Sequence, residues 1–343
     1  MNKNNRAKSG DLRDIQAFKR KVRRIWRITA SVIIVLWTIW TLLDAFVIPR
    51  DIIYASEASE SSISAESEED GLTAETDEIS DTEQPSADHD DADILTEPVI
   101  TENSYEDGHI SIQIRTMRWL DTDIYIADVQ VDDPGCLRTA LAGGAFGRNL
   151  TDTTSSIAEA NNAIFAINGD YYGFRDAGYV MRGGYLYRDL AANDQDQEDL
   201  CIFEDGSLAI LAEVDYTAEA MQEMGARDIF SFGPGLIIDG EISVRQGDEV
   251  DRAQVTNPRT AIGVLSPLHY CFVVSDGRTE ESVGLSLLEL AQLMQDLGCT
   301  LAYNLDGGGS STMWFNGRVL NKPTTFGEKI AERSVSDIVY IGK

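Results

Sequence analysis

Two glycine-bearing loops hold most of the side chains in this sequence that could do chemistry. The first is Asn304-Leu305-Asp306-Gly307-Gly308-Gly309-Ser310-Ser311-Thr312. It sets three consecutive glycines between a carboxylate and three hydroxyls. Glycine lets the backbone come close to a ligand, and successive N–H groups can cradle an anion. The second is Asn168-Gly169-Asp170-Tyr171-Tyr172-Gly173, which shares the plan: a buried-type apolar run, then Asn, then Asp among glycines. Taken alone, Asn-Gly-Asp reads equally well as a tight turn. Three glycines followed by Ser-Ser-Thr are harder to read that way, because so much glycine costs stability without a local return. Asp306 and Asp170 are therefore the candidate catalytic carboxylates. Asn168, Asn304, Gly307, Gly308, Gly309, Ser310 and Ser311 are candidate substrate contacts.

Arginines supply the complement to an anion. Arg259, in Asn257-Pro258-Arg259-Thr260-Ala261-Ile262-Gly263, stands at the start of an apolar strand. A fixed guanidinium there could grip phosphate with two parallel hydrogen bonds. A surface ion pair with one of the chain's many acids is the competing reading. Arg182, before Gly183-Gly184, and Arg278, after Asp276-Gly277, are weaker candidates of the same kind, and Asp276 joins the candidate binding set. Phe232-Gly233-Pro234-Gly235 reads as a further loop near the site or as a plain turn. The three histidines, His89, His109 and His269, all lie outside the glycine-rich loops. That disfavours Ser-His-Asp hydrolases, His-dependent phosphodiesterases and His-ligated zinc. No GxSxG, Walker or Rossmann pattern is present. Carboxylates, arginine, asparagine and backbone amides remain. No cofactor is required by these residues. Asp170, Asp306 and Asp276 are nonetheless oxygen ligands of the kind a divalent cation prefers.

The elements that must position these loops form an irregular mixture. His109–Trp119 and Asp123–Val131 read as strands, with Ile110, Ile112 and Ile114 alternating. Ser156-Ile157-Ala158-Glu159 resembles a capping box opening a short helix, and Ser286-Leu287-Leu288-Glu289 resembles a second. Glu289 could be offered as a catalytic acid, but that position favours helix capping. A further helix is expected over Thr217–Met224. Apolar strands are expected at Ala163–Ile167, Thr260–Leu265, Tyr270–Val274, Leu301–Asn304 and Val335–Ile341, with hairpins near Gly183-Gly184, Asp205-Gly206 and Asp239-Gly240. Without regular βαβ alternation the reading is one α+β domain with a mixed sheet.

Charge divides the chain. Residues 1–50 carry 11 Lys/Arg against 3 Asp/Glu, whereas residues 51–100 carry 17 Asp/Glu and no Lys/Arg. Residues 101–343 carry 17 Lys/Arg against 38 Asp/Glu, so the globular part is acidic and its overall field would repel nucleic acid. Residues 28–48 form an apolar run in which Asp44 is the only charge. As a helix it would be about 31 Å long, enough to cross a bilayer. The preceding basic residues place the N-terminus in the cytoplasm and the remainder outside. The competing reading is a cleaved signal peptide with a site near Ser56-Glu57-Ala58. The expected organisation is a basic cytoplasmic tail (1–27), a transmembrane helix (28–48), an acidic disordered spacer (49–104) and a globular domain (105–343). The expected location is the cell membrane, single-pass. Four cysteines allow three disulfide pairings, although Cys201 and Cys271 sit in apolar runs as small buried hydrophobes do.

The stretch from Leu285 through Glu289 and Leu297-Gly298-Cys299 to Asn304–Met313 resembles the phosphodiester glycosidase family. Asn168–Tyr172, Phe232-Gly233-Pro234 and Pro258–Gly263 match that family's motifs in the same order, and the resemblance spans roughly residues 105–343. It implies a hydrolase that cleaves the sugar C1–O bond of a glycosyl-1-phosphodiester, releasing free sugar and a phosphomonoester, and the charge flanking the apolar run is what sets this domain outside the cell. Arg259, the Gly307–Gly309 amides, Ser310 and Ser311 would bind phosphate. Asp306 or Asp170 would act as nucleophile, base or oxocarbenium stabiliser, and Asn168 and Asn304 would bind sugar hydroxyls. Bacterial members are often described as exopolysaccharide-related, so the expected partner is a phosphodiester-linked glycan of the cell envelope. The alternatives are a non-catalytic carbohydrate-binding or envelope-assembly protein using the same loops, and an enzyme that cleaves P–O instead.

Overall fold

The computed structural model describes residues 26, 29–38, 53–55, 97–192, 194–248, 256–326 and 329–343. Residues 1–51 and 52–343 fall into two compact units. In the first, residues 29–38 are helical, and the rest of the expected 28–48 span lies outside the described residues. Among the described residues no helix is long and apolar enough to cross a membrane. Residues 56–96, the bulk of the expected acidic spacer, also lie outside them. Strands begin ahead of the expected boundary at residue 105: Ile53–Tyr54 pairs with Ala145–Phe146, and Val99–Ile100 and Ser104–Glu106 form the edge of the largest sheet. Two apolar residues after Pro98 give too short a pattern to mark that edge by periodicity.

The second unit is layered. Its largest sheet has nine strands, in the order Glu241–Ile242, Gly235–Ile238, Leu301–Leu305, Arg259–Ser266, His269–Ser275, Thr122–Val131, Ile110–Trp119, Ser104–Glu106 and Val99–Ile100. A five-stranded sheet is built around Phe165–Asn168 and Asp337–Ile341. Another is built around Glu198–Phe203 and Ala226–Phe230. One core fills the space between the large sheet and the two smaller ones, with Ile110, Ile112, Phe272 and Tyr303 meeting Phe165, Phe230 and Val339. The other face of the large sheet packs Ile124, Ile126, Ala261 and Val273 against Leu287, Leu290, Ala291 and Met294 of the helix Leu287–Asp296. Two short helices cover the smaller sheets: Thr154–Ala160 packs on Ala166 and Tyr340, and Ala218–Glu223 packs on Met181 and Ile229.

The α+β reading holds, but one mixed sheet becomes several antiparallel ones. Every pairing among the described strands is antiparallel. Parallel neighbours need a crossover of a dozen or more residues. Here tight turns join many neighbours, such as Asp239-Gly240 with φ of 52° and 80°, the left-handed pair of a primed hairpin turn. The Ser286–Glu289 capping box is formed reciprocally, which gives Glu289 a structural role. The first short helix starts earlier than expected: Thr153 caps it by accepting from the Ser156 N–H. The hydroxyl nearest the chain's turn takes the cap, and Ser156 becomes part of the first turn.

Candidate active site

The two glycine-bearing loops meet. Phe165–Asn168 and Leu301–Leu305 lie in facing sheets, and each strand delivers its loop to the same place. Asp306 N–H donates to Gly169 O at 3.2 Å, and Asn168 Nδ2 donates to Asp306 O at 2.6 Å. Asn168 Oδ1 accepts from Thr260 Oγ1 at 2.8 Å and from Thr312 N–H at 3.2 Å. Asn168 is fully buried, so it fastens the loops together and is not free to take a sugar hydroxyl. Asn304 Nδ2 holds Gly233 O at 2.7 Å, while its Oδ1 is buried without a partner.

The glycines at 307–309 are required by close approaches. A Cβ on Gly307 would stand 2.8 Å from Pro258 O, and one on Gly309 would stand 2.9 Å from the Thr325 Cα. Gly308 has φ of 62°, and a Cβ there would stand 2.7 Å from Arg278 Nη2. The Gly308 N–H donates to Pro258 O at 2.8 Å, so it is not open to an anion as expected. The Ser310 and Ser311 amides close the turn onto Gly307 O and Gly308 O. The Gly307 and Gly309 amides meet no acceptor among the described residues. The hydroxyls of Ser311 and Thr312 are buried and also unpartnered.

Arg333 lies directly on this loop. Its Nη2 donates to Asp306 Oδ2 at 2.9 Å, to Ser310 Oγ at 2.7 Å and to Gly307 O at 3.2 Å. No local motif distinguishes Arg333; only the return of the chain reveals it. Arg278 covers Gly308 and bonds Asn257 Oδ1 through Nε and Nη2, at 3.1 and 2.9 Å. Burial pulls the Arg278 pKa down, and the positive charges of Arg333 and Arg259 pull it further. Like charges held this close are what an anion site needs. Arg259 is buried, with Nε on Leu285 O at 2.9 Å and its N–H on Ser275 Oγ.

The two candidate carboxylates differ. Asp306 Oδ2 is held by Ser310 Oγ at 2.6 Å and by Arg333. Its Oδ1 makes no hydrogen bond with the described residues, and the side chain keeps 10% exposure. Burial raises its pKa, Arg333 and Ser310 lower it, and the nearby charge of Asp170 raises it again. Asp170 is 1% exposed, and both its oxygens are taken, by the N–H groups of Tyr171 and Ser231.

The remaining expected contacts lie elsewhere. Arg182 is buried on Asp337 Oδ2 at 2.5 Å and stacks on Phe230, 3.7 Å from the ring centroid. This arginine stitches two sheets together, its guanidinium taken by Asp337 and by the Met181 and Ile229 carbonyls. A Gly-Gly turn signals equally well either role. Asp276 accepts from Lys322 N–H and Asn321 Nδ2, at 2.8 and 3.2 Å, and burial raises its pKa. Asn321 in turn donates to Ser311 O, so Asp276 supports the glycine loop from behind. Asp170, Asp276 and Asp306 do not converge: among the described residues no three His, Cys, Asp or Glu side chains gather to hold a metal ion. A cavity of about 960 Å³ adjoins the site through the Phe232–Gly235 loop, lined by Arg175, Phe232, Gly233, Pro234, Glu198 and Leu287. Neither Asp306 nor Arg278 nor Arg333 lines it.

The two loops thus gather Arg259, Arg278 and Arg333 around one carboxylate whose Oδ1 meets no partner among the described residues, in an antiparallel, sheet-rich domain. The sequence model of the phosphodiester glycosidase family matches residues 161–342, and the chain belongs to that family. An uncharacterized SPbeta prophage-derived protein of Bacillus subtilis (strain 168), YomE, is 32% identical over 181 residues, which is 51% of this chain and 28% of that protein. The Mus musculus N-acetylglucosamine-1-phosphodiester alpha-N-acetylglucosaminidase is 33% identical over 101 residues, 26% of this chain and 19% of that enzyme. The chain thus spans less than a third of either relative's length. The catalytic domain of the zebrafish enzyme of that name, solved in a form auto-inhibited by its pro-peptide, superposes with a TM-score of 0.55 at 22% identity. The match covers 68% of this chain and 83% of that one, and it shows a shared fold.

Proposed function

We propose that this protein hydrolyses the sugar C1–O bond of glycosyl-1-phosphodiesters, with Asp306 as the catalytic carboxylate. The observation that carries this reading is the asymmetry of Asp306: Oδ2 is fixed by Ser310 and Arg333, and Oδ1 has no partner among the described residues. The leaving phosphate is weakly basic and needs little protonation. It needs its charge stabilised as the bond breaks. Arg278, Arg333 and the Gly307 and Gly309 amides are placed to do that, with Arg259 adding positive field. Asp306 Oδ1 then faces the anomeric carbon, as nucleophile or as counter-charge to an oxocarbenium ion. Water supplies the oxygen that ends on C1, and the bridging oxygen departs with the phosphate. Asp170 acts on Asp306 through its charge and through the shared loop contacts, without touching substrate.

Membrane anchoring by residues 28–48, an extracellular domain and an envelope or exopolysaccharide substrate belong to the same proposal. They are supported by the apolar run, its basic N-terminal flank and the acidic stretch after it. Assay of the full chain on a panel of sugar-1-phosphodiesters in ¹⁸O-water tests the chemistry. Label in the released sugar is expected. Label in the phosphate, or tight binding without sugar release, would defeat the reading.

A further inference from the structure

Cys271 lies in the strand His269–Ser275, directly opposite Gly263 of the neighbouring strand. Paired residues in an antiparallel sheet point to the same face, with Cβ atoms about 4.5–5.5 Å apart. Gly263 has no side chain, and a Cβ there would stand 2.7 Å from Cys299 Sγ. The Cys299 sulfur therefore fills the space above Gly263, on the face toward which the Cys271 side chain points. Both cysteines are buried in the same apolar layer behind the large sheet. Cys299 is fixed there by its N–H, which bonds Met294 O at the end of the helix Leu287–Asp296. Cys136 and Cys201 lie in two other cores, so Cys271 and Cys299 are the two of the four cysteines that share a layer.

We propose that Cys271 and Cys299 close to a disulfide when the chain folds in an oxidising medium. The two thiols together give up two protons and two electrons as the S–S bond forms. A small disulfide such as oxidised glutathione takes them up through a mixed disulfide and leaves as two thiols. The neighbouring thiol and burial hold the Cys271 pKa well above its ordinary value, so Cys271 carries very little of the reactive thiolate once the sheet has closed. Exchange thus belongs to the stage before helix and sheet close, and the finished bond is sealed from reductant. It ties the strand that leads to Asp276 to the turn that feeds the strand ending before Asp306.

The test refolds the full chain from denaturant with oxidised and reduced glutathione, blocks free thiols with iodoacetamide, and maps a non-reducing digest by mass spectrometry. The expected product links the Cys271 and Cys299 peptides and carries alkylated Cys136 and Cys201. Its Tm should exceed that of the same chain refolded with dithiothreitol by about 5–10 °C. The Cys271→Ala/Cys299→Ala variant should lose both the linked peptide and the redox-dependent difference in Tm. Alkylated Cys271 and Cys299 in the oxidatively refolded chain, or a bridge from either to Cys136 or Cys201, overturns the proposal. The mapping is made on the wild-type chain and stands whatever the fold of the double variant.

Discussion

Asp306 and Asp170 carry the same side chain at matching places in sister loops, and their surroundings separate them. Both Asp170 oxygens accept backbone N–H bonds, whereas Asp306 Oδ1 has no hydrogen bond among the described residues. Asp306→Asn preserves an acceptor for Ser310 and Arg333 but cannot carry the charge. Sugar release should fall at least about 10³-fold while Tm stays within a few degrees; a variant that retains most of its activity would remove Asp306 from the chemistry. Asp170→Asn exchanges an acceptor for a donor opposite two N–H groups, so its main effect should be a lower Tm. Arg333 makes a sharper test, because it holds the Asp306 pKa down against burial. Without it that pKa rises further. If the ionised carboxylate works, the acid limb of the kcat/KM–pH profile should move to higher pH in Arg333→Ala, and an unmoved limb would separate the two residues. The glycine run advertised Asp306 in the sequence. Arg333 had no such signal, because its contacts with Ser310 and Gly307 exist only once the chain has come back across the loop.

At the scale of elements, what the sequence showed well was whatever is local. Ile110, Ile112 and Ile114 alternate in a strand that buries each of them, and Ser286 with Glu289 forms the expected capping box. What it hid was the partner of each side chain. Asn168, read as a sugar ligand, is the fastener between three chain segments because Thr260 arrives from another strand and Thr312 from the end of the glycine loop. Arg182, read beside a Gly-Gly turn, finds Asp337 across 155 positions. The capping box also has a consequence for the site. The helix it starts packs Leu287, Leu290 and Met294 behind the large sheet, and Leu285, just ahead of it, offers its carbonyl to Arg259. Ser286→Ala should destabilise the domain by about 1 kcal/mol, read as a lower urea midpoint with unchanged slope. Catalysis in the folded fraction should persist. A loss of kcat without a loss of stability would mean that the helix start sets Arg259 directly.

Across the whole molecule, a buried polar seam joins the two smaller sheets beneath the site. Arg182 spans to Asp337, Thr139 Oγ1 donates to Asp228 at 2.6 Å, and Ser231 Oγ donates to Asp199 at 2.8 Å while lying 3.2 Å from Glu213. One hydroxyl hydrogen cannot serve two carboxylates, and Asp199 Oδ2 is buried without a partner. Burial, and then the charge of Glu213, raise the Asp199 pKa well above its ordinary value. The folded protein therefore keeps a proton that the unfolded chain releases near the normal carboxylate pKa of about 4. Stability from this group is fully present below that pH and is lost as pH rises toward the folded value. Asp199→Asn places a permanent neutral amide where the protonated acid sits, and its Oδ1 can still accept from Ser231 and Gln197. The variant should gain on the wild type steadily as pH is raised from about 4 through neutrality, measured as the difference in Tm at each pH. Asp276, Asp306 and Asp337 are raised in the same direction, but they are present in both proteins and cancel in that difference. A difference in Tm that does not change with pH would show that the seam holds no proton at Asp199. The same seam supplies the Ser231 N–H that fixes Asp170 Oδ2, so the variant should also broaden the alkaline side of the activity profile if the proton steadies the loop.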